Sequence, residues 1–287
     1  MSSETHEKNR LYQGIPLVNK MIPQASFLVG EEGKEIVKAV CTDFKDYPVI
    51  ADNFRYDEQQ GVATGSNLFI LAAVQHRLPA AQHVATLADL EAVVRIAPEA
   101  LRGFYEDPAL VLRSPKDSYE PNNFLAKDLA RQLSKQDLPV MIPARYLKKP
   151  RKEGGSSYGL AFDIQEGADI IPAAVLQQAG RFSSTDVDES TGLFTKLDPQ
   201  GDREHFNNGK TGGISGVLVG RNLDLDSNGS NLGVSYPDGR VVVVKSAAGA
   251  QKILEQCLAE LEEENAKIVA NAQARLKLAK DVLCGRE

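Results

Sequence analysis

The chain has 287 residues, 42% hydrophobic and 25% charged, a composition that excludes wholesale disorder and a multispan membrane protein. With 39 acidic against 33 basic residues its formal charge is −6, which excludes the whole-domain cationic surface that nucleic acid requires. No apolar run reaches bilayer length, the first ten residues hold no secretory apolar stretch, and Cys41, Cys257 and Cys284 are too scattered for a disulfide or zinc framework. The default expectation is a cytoplasmic protein with no membrane insertion and no nucleic-acid partner.

In chain order, Ala25-Ser26-Phe27-Leu28-Val29-Gly30 reads as a strand closed by a glycine turn, followed by a helix over 31–42. Residues 47–51 read as a second extended piece. Ser66 is placed to cap a helix over 67–76, where Leu68, Leu71, Ala72 and Gln75 recur at helical spacing, and Thr86 to cap one over 87–94 with Asp89 at its positive end. A strand at 109–112 precedes a helix opened by Pro121-Asn122-Asn123, with Leu125, Leu129 and Leu133 one turn apart. Pro139-Val140-Met141-Ile142-Pro143 reads as a buried strand, 148–155 as a basic, glycine-rich loop, and 158–164 as a half-buried strand by its alternation. Residues 181–213 show polar punctuation and little periodicity, the mark of a long irregular segment. Strands return at 214–219, 223–226 and 240–245, the last β-branched as a strand buried on both faces should be.

From 247 to 283 the chain lacks proline and is rich in Ala, Leu, Glu and Lys, which predicts a long helix. Leu254, Leu258, Leu261, Asn265, Ile268 and Ala272 recur at alternating spacings of four and three, with Asn265 at the position where a lone asparagine selects a parallel dimer. The seam slips at Arg275. Two arrangements stay open: a homodimer through 254–283, and a helix that lays its apolar stripe on its own domain.

Chemical motifs are sparse. Gly209-Lys210-Thr211 imitates the end of a phosphate loop, but Glu204 stands where that loop needs its first glycine. The histidines have no carboxylate or thiol at metal-ligand spacing, no serine sits in a nucleophile elbow, and Cys41 has no visible base. Lys148 to Lys152 reads as a solvated loop. Asp224-Leu225-Asp226-Ser227-Asn228-Gly229 matches the first half of a calcium loop, with Asp224, Asp226 and Asn228 as oxygen donors, but Ser235 stands where the bidentate glutamate belongs. Asx-rich turns are the preferred reading there, and no cofactor is expected.

Period and composition are most informative together between 213 and 244. Leu223 and Leu225 fall on one face of an extended segment, with Asn222, Asp224 and Asp226 on the other, and the parity breaks at Gly220, where a bulge or turn would re-aim the polar residues. Small and polar residues from Ser227 to Tyr236 surround Leu232, and Pro237-Asp238-Gly239 turns into the final strand. An apolar frame threaded with small polar residues is how adaptable recognition surfaces are built.

Gly213-Ile214-Ser215-Gly216-Val217-Leu218, Asn222-Leu223-Asp224-Leu225-Asp226-Ser227, Leu232 and Gly239-Arg240-Val241-Val242-Val243-Val244 resemble the C-terminal part of the variable proteins of diversity-generating retroelements. These use a C-type lectin fold related to that of formylglycine-generating enzymes, and residues 84–91 and Gly159-Leu160-Ala161-Phe162 resemble further pieces of that wider fold. The resemblance implies an α+β, C-type lectin-like domain over 26–247, with a small mixed or antiparallel sheet, flanking helices and a variable region at about 213–244. A polar segment, 1–25, precedes it and the helix, 248–287, follows. The implied function is non-catalytic recognition of a macromolecule, expected to be a protein, by a hypervariable face comprising Val219, Arg221, Asn222, Asp224, Asp226, Asn228, Asn231, Ser235 and Tyr236. The chain departs from the family in lacking tryptophan and in running on past the variable region, and Cys41 alone does not supply the paired catalytic cysteines of the related enzymes. Two other expectations compete: an enzyme whose lid is 181–213, with Arg181, Asp186, His205 and Lys210 in its site, and a structural protein of a particle or surface.

Overall fold

The valines near residue 243 lie where their composition places them, in the middle of a sheet. Val243 belongs to one hydrophobic core with Leu110 and Leu112, while Val242 and Val244 belong to a second with Ala109 and Val111, so adjacent residues feed opposite faces. The computed structural model describes residues 24–117, 119–134, 136–207, 212–229 and 231–245, together with positions 269 and 273. The expected dimer seam at 254–283 with Asn265, most of the N-terminal polar segment, and Lys210 lie outside the described residues.

The architecture is mixed α+β. In chain order the elements are β1 (Gln24–Phe27), α1 (Gly30–Asp43), α2 (Pro48–Ala51), β2 (Arg55–Asp57), β3 (Val62–Thr64), α3 (Leu68–Gln75), β4 (Gln82–Val84), α4 (Leu87–Ile96), β5 (Glu106–Leu112) and α5 (Asn123–Gln132). They continue as β6 (Val140–Pro143), β7 (Arg151–Lys152), β8 (Leu160–Ala161), β9 (Ile171–Pro172), β10 (Gly180–Phe182), β11 (Arg203–Phe206), β12 (Ile214–Val219), β13 (Leu225–Asp226) and β14 (Val242–Lys245). A three-stranded sheet runs β1-β14-β4 and a seven-stranded sheet β10-β11-β13-β12-β5-β6-β9; β2 pairs with β3 and β7 with β8. All neighbours in the larger sheet are antiparallel except β11 and β13. The β12–β5 register shifts between Val217 and Val219, a bulge just ahead of the parity break at Gly220.

Helix α3 is the hub of the first core, with Leu68 through Val74 all buried, the profile of a helix surrounded by protein. Its cap is Asn67, not Ser66. The Asn67 Oδ1 accepts the Ile70 amide at 2.9 Å while Nδ2 donates to the carbonyls of Ile50 and Gly233, so one amide closes the helix and ties two distant segments to it. Residues 48–51 form a helical turn where an extended piece is expected, because Pro48 occupies the first helical position, where its fixed φ favours the turn, and Ile50 buries inward. The alternation at 158–164 is also misleading: Leu160, Ala161 and Phe162 are all buried, and Phe162 stacks on Phe69 with centroids 4.4 Å apart. As predicted, Thr86 caps α4, in a capping box with Asp89.

The second core is closed by a buried ion pair. Arg203 on β11 and Glu91 on α4 are 5% and 4% exposed and bond through two guanidinium nitrogens at 2.5 and 2.8 Å. The third nitrogen, Nε, donates to the Leu223 carbonyl at 2.6 Å, and the guanidinium lies over the Phe182 ring. The described part of 181–213, up to residue 207, is more regular than its punctuation suggests, carrying β11, the end of β10 and a stacked Phe182–Phe194 pair. Arg203→Met alone is expected to cost about 3–5 kcal/mol, because Glu91 is left buried without its partner, and Glu91→Leu added to it should recover much of the loss. Urea unfolding of the single and double variants measures both.

Candidate functional site

The turn joining β12 to β13 places the first of the expected recognition residues. Gly220 N–H donates to the Asp224 carbonyl and Leu223 N–H to the Gly220 carbonyl, closing a tight loop in which Leu223 takes a φ of 70°, a region unfavourable for a side chain of its size. Two contacts hold it there. The Leu223 side chain is buried in the second core, and its carbonyl is held by Arg203. The loop tip is left to point Arg221 and Asn222 into solvent.

Arg221 forms an ion pair with Asp238, and its carbonyl accepts the Gly103 amide, which brings the loop against the turn that precedes β14. Tyr236 stands on that turn, 57% exposed, with its ring edge-on to Tyr105 at 6.2 Å. Tyr105 organises this corner. Its hydroxyl accepts from the Tyr236 amide at 2.8 Å and donates to the Ser66 carbonyl, while its backbone bonds to Asp238 and Arg240. The Arg240 guanidinium in turn lies 4.2 Å from the Phe104 ring centroid. Nothing in sequence periodicity marks Tyr105, because its role rests on contacts far away in the chain.

Asn228 and Asn231 are exposed but lie on the loop that follows β13, away from the β12–β13 turn, where the Gly229 carbonyl accepts the Gly216 amide of β12. Asp224 and Asp226 are half-buried and engaged locally, Asp224 with the Glu204 amide at 2.8 Å and Asp226 with the Asn228 amide at 2.7 Å. Val219 and Ser235 do not belong to an exposed face. Val219 is 2% exposed because the bulge turns it into the second core, and Ser235 is 5% exposed, packed beside Gly65, with its carbonyl accepting from Asn53. Among the described residues no group of three or more His, Cys, Asp and Glu converges as a metal site. The basic loop at 148–152 is largely neutralised: Arg151 pairs with Asp128, Glu153 and Asp163, Lys149 with Asp43 and Lys152 with Asp46.

Behind the exposed residues β5 carries charges that sequence patterning missed. Glu106 Oε2 accepts the Val242 amide at 3.3 Å, and burial first, then neighbouring Asp107, pushes this carboxyl well above the usual range. Burial pushes Asp107 up to about 7, against the pull of the Ser66 hydroxyl beside it, and Asp226 is also raised by burial. At the other end of the strand, Arg113 donates to Ser215 Oγ, to Ser227 Oγ and to the carbonyls of Ser227 and Leu176. Its acceptors are all neutral, and burial draws its guanidinium down to about 10.

His205 completes this network. Its Nδ1 lies 2.6 Å from the Gln178 carbonyl, which can only accept, so Nδ1 carries the proton and Nε2 accepts from Ser227 Oγ at 2.8 Å. A serine hydroxyl on an imidazole is the geometry of an activated nucleophile, but His205 and Ser227 are both 0% exposed and no substrate reaches them. The other residues of the expected lid are not gathered around it: Arg181 Nε bonds to the Gly201 carbonyl, and Asp186 pairs with Lys196.

Among the described residues no helix is long and apolar enough to cross a membrane. Comparison with protein-family models, with curated proteins and with solved structures returns no match.

Two of the buried titratable groups, His205 and Asp107, give opposite pH dependences. Burial holds His205 down at about 4 from an ordinary 6.5, so in that window the unfolded chain takes up a proton that the folded chain refuses. Its contribution is complete above the upper value and lost as pH falls toward the lower one. Asp107, raised from 3.8 to about 7, keeps in the folded state a proton that the unfolded chain releases, so stability falls as pH rises through that range. Urea midpoints measured between about pH 4 and pH 8 should show the acid-side loss reduced in His205→Gln and the alkaline-side loss reduced in Asp107→Asn.

Proposed function

We propose that this chain is a non-catalytic recognition protein that binds a macromolecular partner, a protein, through the exposed residues of its 213–244 segment. The reading includes the finer fold assignment, a C-type lectin-like domain of the kind used by the variable proteins of diversity-generating retroelements, in which these positions are diversified. The observation that carries it is the separation of frame from display. Leu223, Leu225, Leu232 and Val241 to Val244 are buried, while Arg221, Asn222, Asn228, Asn231 and Tyr236 between them are exposed. Asp224 and Asp226 stand at the boundary, half-buried and tied to backbone amides.

Such a division lets binding and folding respond to different substitutions. Asn222, Asn228, Asn231 and Tyr236 can change without opening a cavity, and the backbone that carries them is held by Arg203, Tyr105 and Asn67 before any partner arrives. A pre-ordered loop loses less entropy on binding than a mobile one.

Two measurements test the proposal. Sequencing codons 214–244 with their flanking DNA in a natural population should show replacements clustered at the exposed positions, at adenines of a nearby near-repeat, over an unchanged Leu and Val frame. Identical codons without a repeat would remove the diversification reading. In thermal unfolding, Asn222→Ala, Asn228→Ala and Asn231→Ala should each stay within about 0.5 kcal/mol of the parent, whereas Leu225→Ala should cost about 2–5 kcal/mol. Equal losses in both sets would show that frame and display are not separate.

A further inference from the structure

Within 213–244 Asn222, Asn228 and Asn231 are exposed, and the peptide amide that follows each of them is held differently. The amide after Asn222 belongs to Leu223 and donates to the Gly220 carbonyl at 2.8 Å, and the amide after Asn231 belongs to Leu232 and donates to the Tyr158 hydroxyl at 3.2 Å. Both of those leucines are buried. The amide after Asn228 belongs to Gly229 and has no hydrogen-bond acceptor among the described residues. Gly229 has no side chain to screen its nitrogen, and a Cβ built on it would meet no described atom within 4 Å, so the approach from Asn228 is open. The Asp-Gly pair of the same segment is the contrast. There the Gly239 amide donates to the Tyr236 carbonyl at 3.0 Å, a Cβ on Gly239 would press on Ser66 and Tyr105, and Asp238 is held by Arg221.

We propose that Asn228 is a site of spontaneous modification, at which the side-chain amide is converted to a carboxylate through a cyclic imide. Solvent base takes the Gly229 amide proton, the nitrogen forms a bond to Asn228 Cγ, and the Cγ–Nδ2 bond breaks with release of ammonia. Water then opens the succinimide at either carbonyl, giving aspartate at 228 or the isomer whose main chain runs through Cγ. One water is consumed and one ammonia released, and nothing is oxidised or reduced. The product adds a negative charge close to the Asp226 carboxylate, which accepts the Asn228 backbone amide at 2.7 Å. The isomer also adds a carbon to the backbone between that bond and the Gly229 carbonyl, which holds the Gly216 amide at 3.1 Å. Modification therefore changes the charge of the exposed loop and loosens its tie to β12. Its effect on a bound partner rests on the recognition reading; the reaction itself does not.

The full chain, incubated at neutral and at mildly alkaline pH, is followed by intact mass and by peptide mapping with fragmentation and isoaspartate detection. The peptide that carries Asn228 should gain about 1 Da with isoaspartate at that position, faster at the higher pH. Conversion at Asn228 should be at least about tenfold faster than at Asn222 or Asn231. Gly229→Ala fits the open space and a backbone outside the left-handed region, so it should slow the conversion about tenfold or more at an unchanged melting temperature. An Asn228 that stays intact, equal rates at the three asparagines, or parental rates in Gly229→Ala would each overturn the proposal. The comparison of the three asparagines in the parent chain decides even if the variant does not fold. The second Asn-Gly pair, Asn208-Gly209, lies outside the described residues and falls on a different tryptic peptide, so its own chemistry does not enter the reading.

Discussion

The guanidinium of Arg203 is the point on which the domain turns. It neutralises Glu91 in the second core and grips the carbonyl of Leu223 with the nitrogen left over, so one side chain joins α4, β11 and the β12–β13 loop. Each charge needs the other there, since a buried unpaired charge costs several kcal/mol. The unfavourable backbone of Leu223 rests on the same group. Loop shape, helix position and core closure are thus coupled, and a change at any one is felt at the other two.

The charges along β5 show a different economy. A central strand is ordinarily the most apolar in its sheet, yet this one begins with Glu106 and Asp107 and is followed at once by Arg113. Glu106 is met by a backbone amide and Arg113 by hydroxyls and carbonyls in place of a full counterion, and burial moves the pKa values of all three. The hydroxyl and imidazole contacts between Arg113, Ser227 and His205 stitch the strand to segments far from it in sequence.

Much of this architecture is legible in the residues themselves. The Thr86 cap, the helix opened by Pro121, the strand between two prolines and the β-branched final strand all follow local rules that tertiary context did not override. Local rules failed where a distant partner decided. Pro48 reads as part of an extended piece until Ile50 is seen to be drawn inward, and Ser66 reads as a cap until Asn67 is found bonding to Ile50 and Gly233 as well. The 213–244 segment was half legible for the same reason. Alternation placed Leu223 and Leu225 inside, but it could not foresee the bulge that buries Val219 or the packing that buries Ser235. Tyr105, Arg113 and Asp107 carry no periodic signal, because each acts through contacts made across the chain.

The antiparallel pairing of β1 with β14 sets Gln24 directly opposite Lys245, at the same end of the ladder. A tension drawn through those two residues would open the strands as a zipper, loading one rung of hydrogen bonds at a time, and would not shear them together. The domain is therefore mechanically compliant along the line joining its first and last strands, even though each of them packs against buried side chains. A load applied at those two residues therefore meets the β1–β14 ladder at its open end, one residue pair at a time.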